Sequence, residues 1–314
     1  MSESTIILAQ IGPFSLTAYG LVIVVGILAA MICVFAVRKG GLTADRRLSA
    51  CIAAVIGGLL GARVLYCASM LDTILADFAE GAAFIPQLWL GGYTLYGGVL
   101  GGLLALWILC RKSGSTGETA DILSPAAALF LMFARLGEGF TPQGLGSYVE
   151  NEALYFFPFS VMDAYEQWRV PVFAYEAVAA LAICVVCLVL LKKERRPGET
   201  AETFLILLSL SQIILDSLRE DEYIRFGFVH LNMISAGIVL LTVLFVRLAR
   251  SKSKKWKIWR TVLFFVGIGI CVGIEFALDK STLSNTLLYA VMAVTLILLG
   301  IPFFHGNVPM DAGE

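Results

Sequence analysis

Charge is what this chain has least of. Only 15% of its 314 residues are Asp, Glu, Lys or Arg, against 59% hydrophobic residues and a mean hydropathy of +0.85. A soluble domain of this length would carry more charge, so a water-exposed globule is excluded. Histidine is nearly absent, with only His230 and His305, which removes a histidine-rich metal site. The seven cysteines (Cys33, Cys51, Cys67, Cys110, Cys184, Cys187, Cys271) fall within or at the ends of apolar runs. Buried free cysteine behaves as a small hydrophobe. Cys184 and Cys187 have CxxC spacing but no second cysteine or histidine pair, so neither a metal nor a cofactor is expected. No basic stretch precedes the first apolar run, so a cleavable signal peptide is not expected. The net charge of −1 says nothing about partners, and no nucleic-acid partner is expected.

Long apolar runs are what is there. Nine segments, near 14–37, 48–69, 88–110, 118–138, 171–191, 200–218, 229–249, 259–278 and 284–304, are each long enough to cross about 30 Å of hydrocarbon. A chain in lipid must satisfy its backbone internally, so these read as helices. The fold class is all-α: a polytopic membrane helical bundle. Basic residues cluster on alternate loops: Arg38, Lys39, Arg46 and Arg47; Arg111 and Lys112; Lys192, Lys193, Arg195 and Arg196; then Arg247, Arg250, Lys252, Lys254, Lys255, Lys257 and Arg260. These hold 17 of the 23 basic residues. The positive-inside rule then places the N-terminus outside and the C-terminus in the cytoplasm. Two external segments stand out. Residues 70–87 put Leu71, Ile74, Leu75, Phe78 and Ala82 at helical spacing, as in an amphipathic piece lying on the membrane. Residues 139–170 are rich in Tyr, Phe and Trp, fitting either a cap over a site or an interfacial belt.

Three arginines run against the apolar trend. Arg63, Arg135 and Arg219 lie in or beside spans, and the topology puts all three toward the outer side. An arginine near bilayer depth usually faces an interior cavity and a partner. Three cations converging from one side suit an anion, and a lipid phosphate fits the charge and the location. Arg135 and Arg219 lie near span ends, where arginines also snorkel to the interface. Tyr19 and Tyr96 read equally as interfacial aromatics. Glu176, a carboxylate inside a span, is expected to pair with one of the arginines. Asp216 stands one helical turn before Arg219 and could pair with it. Gly57, Gly58 and Gly61, and Gly97, Gly98, Gly101 and Gly102, have the small-xxx-small spacing that lets helices approach closely in lipid. The glycines flanking Tyr93 and Tyr96 also leave room for a ligand beside the rings.

Six segments carry a resemblance: residues 11–20 (IGPFSLTAYG), 57–66 (GGLLGARVLY), 91–98 (GGYTLYGG), 134–146 (ARLGEGFTPQGLG), 170–177 (VPVFAYEA) and 213–221 (IILDSLRED). In this order and spacing the chain resembles the prolipoprotein diacylglyceryl transferases. The resemblance covers residues 10–250, a seven-span core within a domain 1–250. Residues 251–314 then add a basic loop, two further spans and a short tail. It implies a bacterial cytoplasmic-membrane enzyme. Such an enzyme moves a diacylglyceryl group from phosphatidylglycerol to the cysteine thiol of a prolipoprotein signal peptide, among other membrane lipids. The resemblance implies that Arg135 and Arg219 serve catalysis and that Arg63, Tyr19, Gly97, Gly98, Gly137, Gly146, Tyr175 and Glu176 hold substrate.

The chain also departs from the family pattern. Tyr96 stands where the family's third span has a histidine before paired glycines. Glu138 and Thr141 replace asparagines, Gln143 a glutamate, and Val170 a histidine. A tyrosine with a pKa near 10 is a poor base at neutral pH. Glu138 or Glu176 could substitute as base, and Tyr96 and Glu138 join the two arginines as candidate catalytic residues. Three readings follow: a transferase with an altered base, a non-catalytic relative that binds phospholipid or lipoprotein, and a transporter using the arginines as an anion path. The last would favour inverted repeats, and none is evident.

Overall fold

The computed structural model describes residues 6–11, 14–37, 41–76, 85–87, 91–193, 196–220, 225–227, 229–250, 254–281 and 283–304. It opens with a hairpin of β1 (Ile7–Ile11) and β2 (Phe14–Thr17). Thr17 then starts α1 (Ala18–Ala36), its hydroxyl accepting from Gly20 N at 3.0 Å as an N-cap. The helices that follow are α2 (Ala44–Ser69), a short α3 (Leu71–Ala76), α4 (Leu95–Cys110), α5 (Thr116–Glu138), α6 (Val172–Leu191), α7 (Glu199–Ser217), α8 (Leu231–Arg250), α9 (Lys254–Lys280) and α10 (Asn285–Phe304). Among the described residues, sheet is confined to β1–β2 and to two hairpins of two-residue strands, β3–β4 (Val161–Met162, Trp168–Arg169) and β5–β6 (Arg225–Phe226, Val229–His230). Among the described residues, seven helices are long and apolar enough to cross a membrane, and Leu95–Cys110 and Asn285–Ile301 are shorter apolar helices. The chain is a multi-pass helical membrane protein, as its apolar runs require.

The third expected span is corrected in length. Residues 88–110 read as one apolar run, but the helix begins only at Leu95. Gly91 and Gly92 both have φ +78, which breaks the helix before Thr94. Of the expected amphipathic segment 70–87, Leu71–Ala76 is helical and Ile74 is buried. Phe78 and Ala82 lie outside the described residues.

The chain divides into two compact units. One comprises Met1–Phe204 with Arg219–Ile224, the other Leu205–Leu218 with Arg225–Glu314. In the first, α2 packs on α4, and α5 on both α1 and α6. The α2–α4 contact is the glycine stripe. A Cβ on Gly57 would lie 2.6 Å from Gly101 O, and one on Gly97 would lie 2.8 Å from Leu65 Cβ, so the backbones touch. A buried cluster of Val34, Ala50, Cys51, Leu106, Ile122, Leu123 and Ala126 joins α1, α2, α4 and α5. Asp121 starts α7 from a distance, its carboxylate accepting from Gly198 N at 2.7 Å and Ala201 N at 2.8 Å. In the second unit, α9 packs on α8 and α10. The buried Asp216 lies 3.1 Å from His230 Nδ1 and accepts from Asn232 Nδ2 at 3.1 Å. Asp216 was expected beside Arg219 by helical spacing, but its carboxylate serves this polar knot instead.

Candidate active site

Arg135 and Glu138 are three residues apart, which puts both on one face of the last turn of α5. Glu176 lies one turn into α6, and Arg219 follows α7. The fold brings these four together. Arg135 Nη1 donates to Glu138 Oε1 at 2.6 Å, and its Nη2 lies 3.3 Å from Glu176 Oε1. Arg219 Nη1 donates to Glu176 Oε2 at 2.6 Å, and its Nη2 lies 2.9 Å from Glu138 Oε2. Each carboxylate therefore bridges both guanidiniums in a closed ring of two cations and two anions. Arg219 and Glu176 are 1% and 2% exposed. Glu176 was expected to pair with one arginine, and it pairs with both. Removing one member of such a buried pair costs about 3–5 kcal/mol, because an uncompensated charge is left behind.

One oxygen in the ring is incompletely served. Glu138 Oε2 is within ion-pair range of Arg219, but it has no aligned hydrogen bond. It faces the loop after α5. Gly144 there has φ +78, and a Cβ on it would lie 2.6 Å from Phe173 Cβ and 3.0 Å from this oxygen. Only glycine lets the chain reverse this closely over the carboxylate. Gly144 was not singled out from the sequence, and its place in the GxG of residues 144–146 is the only signal that could have found it. The loop is tied down by Gly146 N to Val170 O at 2.8 Å, Arg169 Nε to Gly146 O at 2.8 Å and Glu220 N to Leu145 O at 3.0 Å. Above it, Tyr155 stacks on Trp168 at 4.9 Å, and Tyr175 donates from its hydroxyl to Pro158 O at 2.9 Å.

Tyr19, in the first turn of α1, borders the ring. A Cβ on Gly137 would lie 3.0 Å from the Tyr19 ring, so Gly137 is what admits the tyrosine there. Its phenol is within Coulomb range of Glu138, Arg135 and Arg219, and also of Tyr93. Tyr93 in turn is within range of Arg63.

Arg63, expected with Arg135 and Arg219 to face one anion, is engaged at the turn before α4. Its guanidinium is buried, but it donates to backbone carbonyls: Ile85 O at 3.3 Å, Gln87 O at 3.2 Å, Gly92 O at 3.2 Å and Gly91 O. It stands 5.8 Å from the Tyr66 ring centroid. A guanidinium with five donors pins the turn before α4 in this way. Tyr96 is fully buried in the first turn of α4. Gly97 turns toward α2, and Gly98 meets Gly58 O and Ala62 at ordinary contact distance, so both form helix contact. Among the described residues no group of three or more His, Cys, Asp or Glu could hold a metal ion.

What the ring can do follows from its charges. Two fixed guanidiniums can grip a phosphate bidentately once a carboxylate yields its place, and a carboxylate with spare acceptor capacity can take a proton. The family model of the prolipoprotein diacylglyceryl transferases matches residues 6–250. The phosphatidylglycerol–prolipoprotein diacylglyceryl transferase of Staphylococcus epidermidis is 27% identical over 251 residues, covering 77% of this chain and 88% of the relative. That of Streptococcus pneumoniae is 28% identical over 244 residues, covering 76% and 91%.

Proposed function

We propose, because the chain belongs to the prolipoprotein diacylglyceryl transferase family, that it transfers a diacylglyceryl group from phosphatidylglycerol to the cysteine thiol of a prolipoprotein signal peptide. The observation that carries this reading is the buried ring of Arg135, Glu138, Glu176 and Arg219. The thiol gives its proton to Glu138, whose Oε2 has unused acceptor capacity. The thiolate is the nucleophile, and it attacks the glyceryl carbon of the lipid. A C–S bond forms as the C–O bond to phosphate breaks, and glycerol phosphate leaves with its charge grown by one unit. Protonation of Glu138 removes one anion from the ring. Arg135 and Arg219 then face the departing phosphate with only Glu176 opposing them, where preorganised donors count most. Tyr19, beside Gly137, and Tyr175 border the lipid and peptide approach. Gly146 holds the loop over the ring, and Tyr96 contributes a buried hydroxyl rather than a base. Arg63, Gly97 and Gly98 act one step away, by fixing the start of α4.

The purified protein in lipid, given phosphatidylglycerol and a lipobox peptide, should release glycerol phosphate and form a thioether-linked peptide. Tyr96 in place of the family's histidine favours a second reading, a relative that binds these substrates without reacting. Lipid binding with no product from the wild type would select it and sink the transferase.

The alternation of basic loops supports an N-terminus outside and a cytoplasmic C-terminus, with residues 251–314 as an addition to a seven-span core. On a cysteine-free background, Lys193→Cys should react with a membrane-impermeant thiol probe only after the membrane is opened. Labelling in intact cells would overturn this orientation.

A further inference from the structure

The ring neutralises its own arginines, whereas the opposite end of α5 keeps cations unspent. α5 has 23 residues, so its two ends stand roughly 34 Å apart. Beside its N-terminus is a cavity of about 250 Å³, between the α1–α2 and α4–α5 connections, into which Arg46 and Lys112 both face. Among the described residues, neither of these two makes a salt bridge or a side-chain hydrogen bond. Their neighbours are engaged. Arg47 donates to Val34 O at 2.6 Å, and Arg111 lies 5.6 Å from the Trp107 ring centroid. No acid lines the cavity. Of the acids on the flanking elements, Glu118 accepts from Gly41 N at 3.2 Å, and Asp45 lies outside the lining.

Hydroxyls complete the wall. Ser113 Oγ donates to Cys110 O at 3.0 Å and shares a 2.8 Å hydrogen bond with Ser115, so both hydroxyl protons are held within the wall. Ser115 stands at the N-cap of α5 without a side-chain cap bond, which leaves first-turn N–H groups as further donors. Leu42 and Leu109 supply an apolar edge. Two unpaired cations, first-turn N–H donors and no competing carboxylate suit a phosphate ester, and the apolar edge suits one that carries acyl chains.

We propose that this cavity is a second anion site, separate from the ring, that takes the phosphate of an anionic phospholipid headgroup. It stands independently of the transferase reading, because none of its residues belongs to the ring. The test is hydrogen–deuterium exchange on the full chain in phosphatidylcholine nanodiscs, with three arms: no addition, phosphatidylglycerol, and soluble glycerol phosphate. Phosphatidylglycerol should protect the amides of residues 113–119. Arg46→Gln with Lys112→Gln should raise the lipid fraction needed for half-protection by about thirtyfold, at roughly one lost attraction per cation. Arg46→Lys with Lys112→Arg should keep the protection, and thermal melting checks that each variant folds. Protection by soluble glycerol phosphate as strong as by lipid would reassign the site to a free ester and overturn the headgroup proposal. Absence of protection by phosphatidylglycerol, or undiminished protection in the double glutamine variant, would overturn it outright. Transfer activity does not enter the readout, so a failed transferase reading leaves this result interpretable.

Discussion

Arg219→Lys should lower the rate of transfer by roughly a hundred- to a thousandfold, the scale of losing one preorganised donor to a developing oxyanion. Lysine keeps the charge, so the ring stays neutral and the chain should still fold. What it cannot keep is the fork. Arg219 reaches Glu176 Oε2 with one nitrogen and Glu138 Oε2 with the other, and a single ammonium serves one of these at a time. The measurement is product release by the purified variant in lipid, with melting temperature alongside. Arg196→Lys is the control. That arginine lies at the other end of the helices and pairs with Glu202 at 3.0 Å, a partly exposed pair worth about 0–1 kcal/mol. Its activity should stay close to wild type. Equal activity in Arg219→Lys and the control would show that the ring arginine is structural only.

Glu138→Gln is the sharper experiment, because its two effects have opposite signs. Gln has the shape of Glu but cannot accept the thiol proton as a base, so kcat should fall by about 10²–10⁴-fold. The same change removes one of two anions that neutralise Arg135 and Arg219. The ring then carries a net positive charge, and phosphatidylglycerol should bind at least as tightly as to the wild type. The melting temperature should fall under either reading, because a buried cation loses a partner, so lipid binding decides: a Glu138 that only props the fold would lose lipid binding together with the rate. That outcome would leave the base to be sought elsewhere.

The sequence carried the membrane architecture because lipid imposes it. A chain that must bury every N–H and C=O inside hydrocarbon writes its spans as apolar runs of about twenty residues, and each run yielded a helix. The exception came from backbone conformation. Gly91 and Gly92 are apolar enough to extend a run, but at φ +78 they cannot extend a helix. For the site, residue types were legible and their pairing was not. Arg135, Glu138, Glu176 and Arg219 all stand out in the sequence as charges in or beside apolar runs, yet their closure into one ring depends on three segments packing. Glu176 and Arg219 are 43 positions apart. Local spacing suggested the wrong partner for Asp216, because a turn of helix offers Arg219 while tertiary packing offers His230 and Asn232. For Arg63 too, residue type alone did not name the acceptors. A guanidinium in an apolar span suggests an anion, but its acceptors here are carbonyls of residues 85, 87, 91 and 92, and every residue type supplies a carbonyl.

The order of the ring's members along the chain has a consequence for biogenesis. α5 enters the bilayer carrying its own counter-ion, since Arg135 and Glu138 pair within one turn. α6 follows with Glu176, which can share Arg135 but still lacks its stronger contact. Only when translation reaches residue 219 does the last cation arrive and the sum of charges become zero. A nascent chain halted between residues 191 and 219 therefore holds one excess carboxylate at membrane depth. Such arrested intermediates should be retained by the insertion machinery or cleared by membrane proteases, and a chain extended past Arg219 should escape both fates.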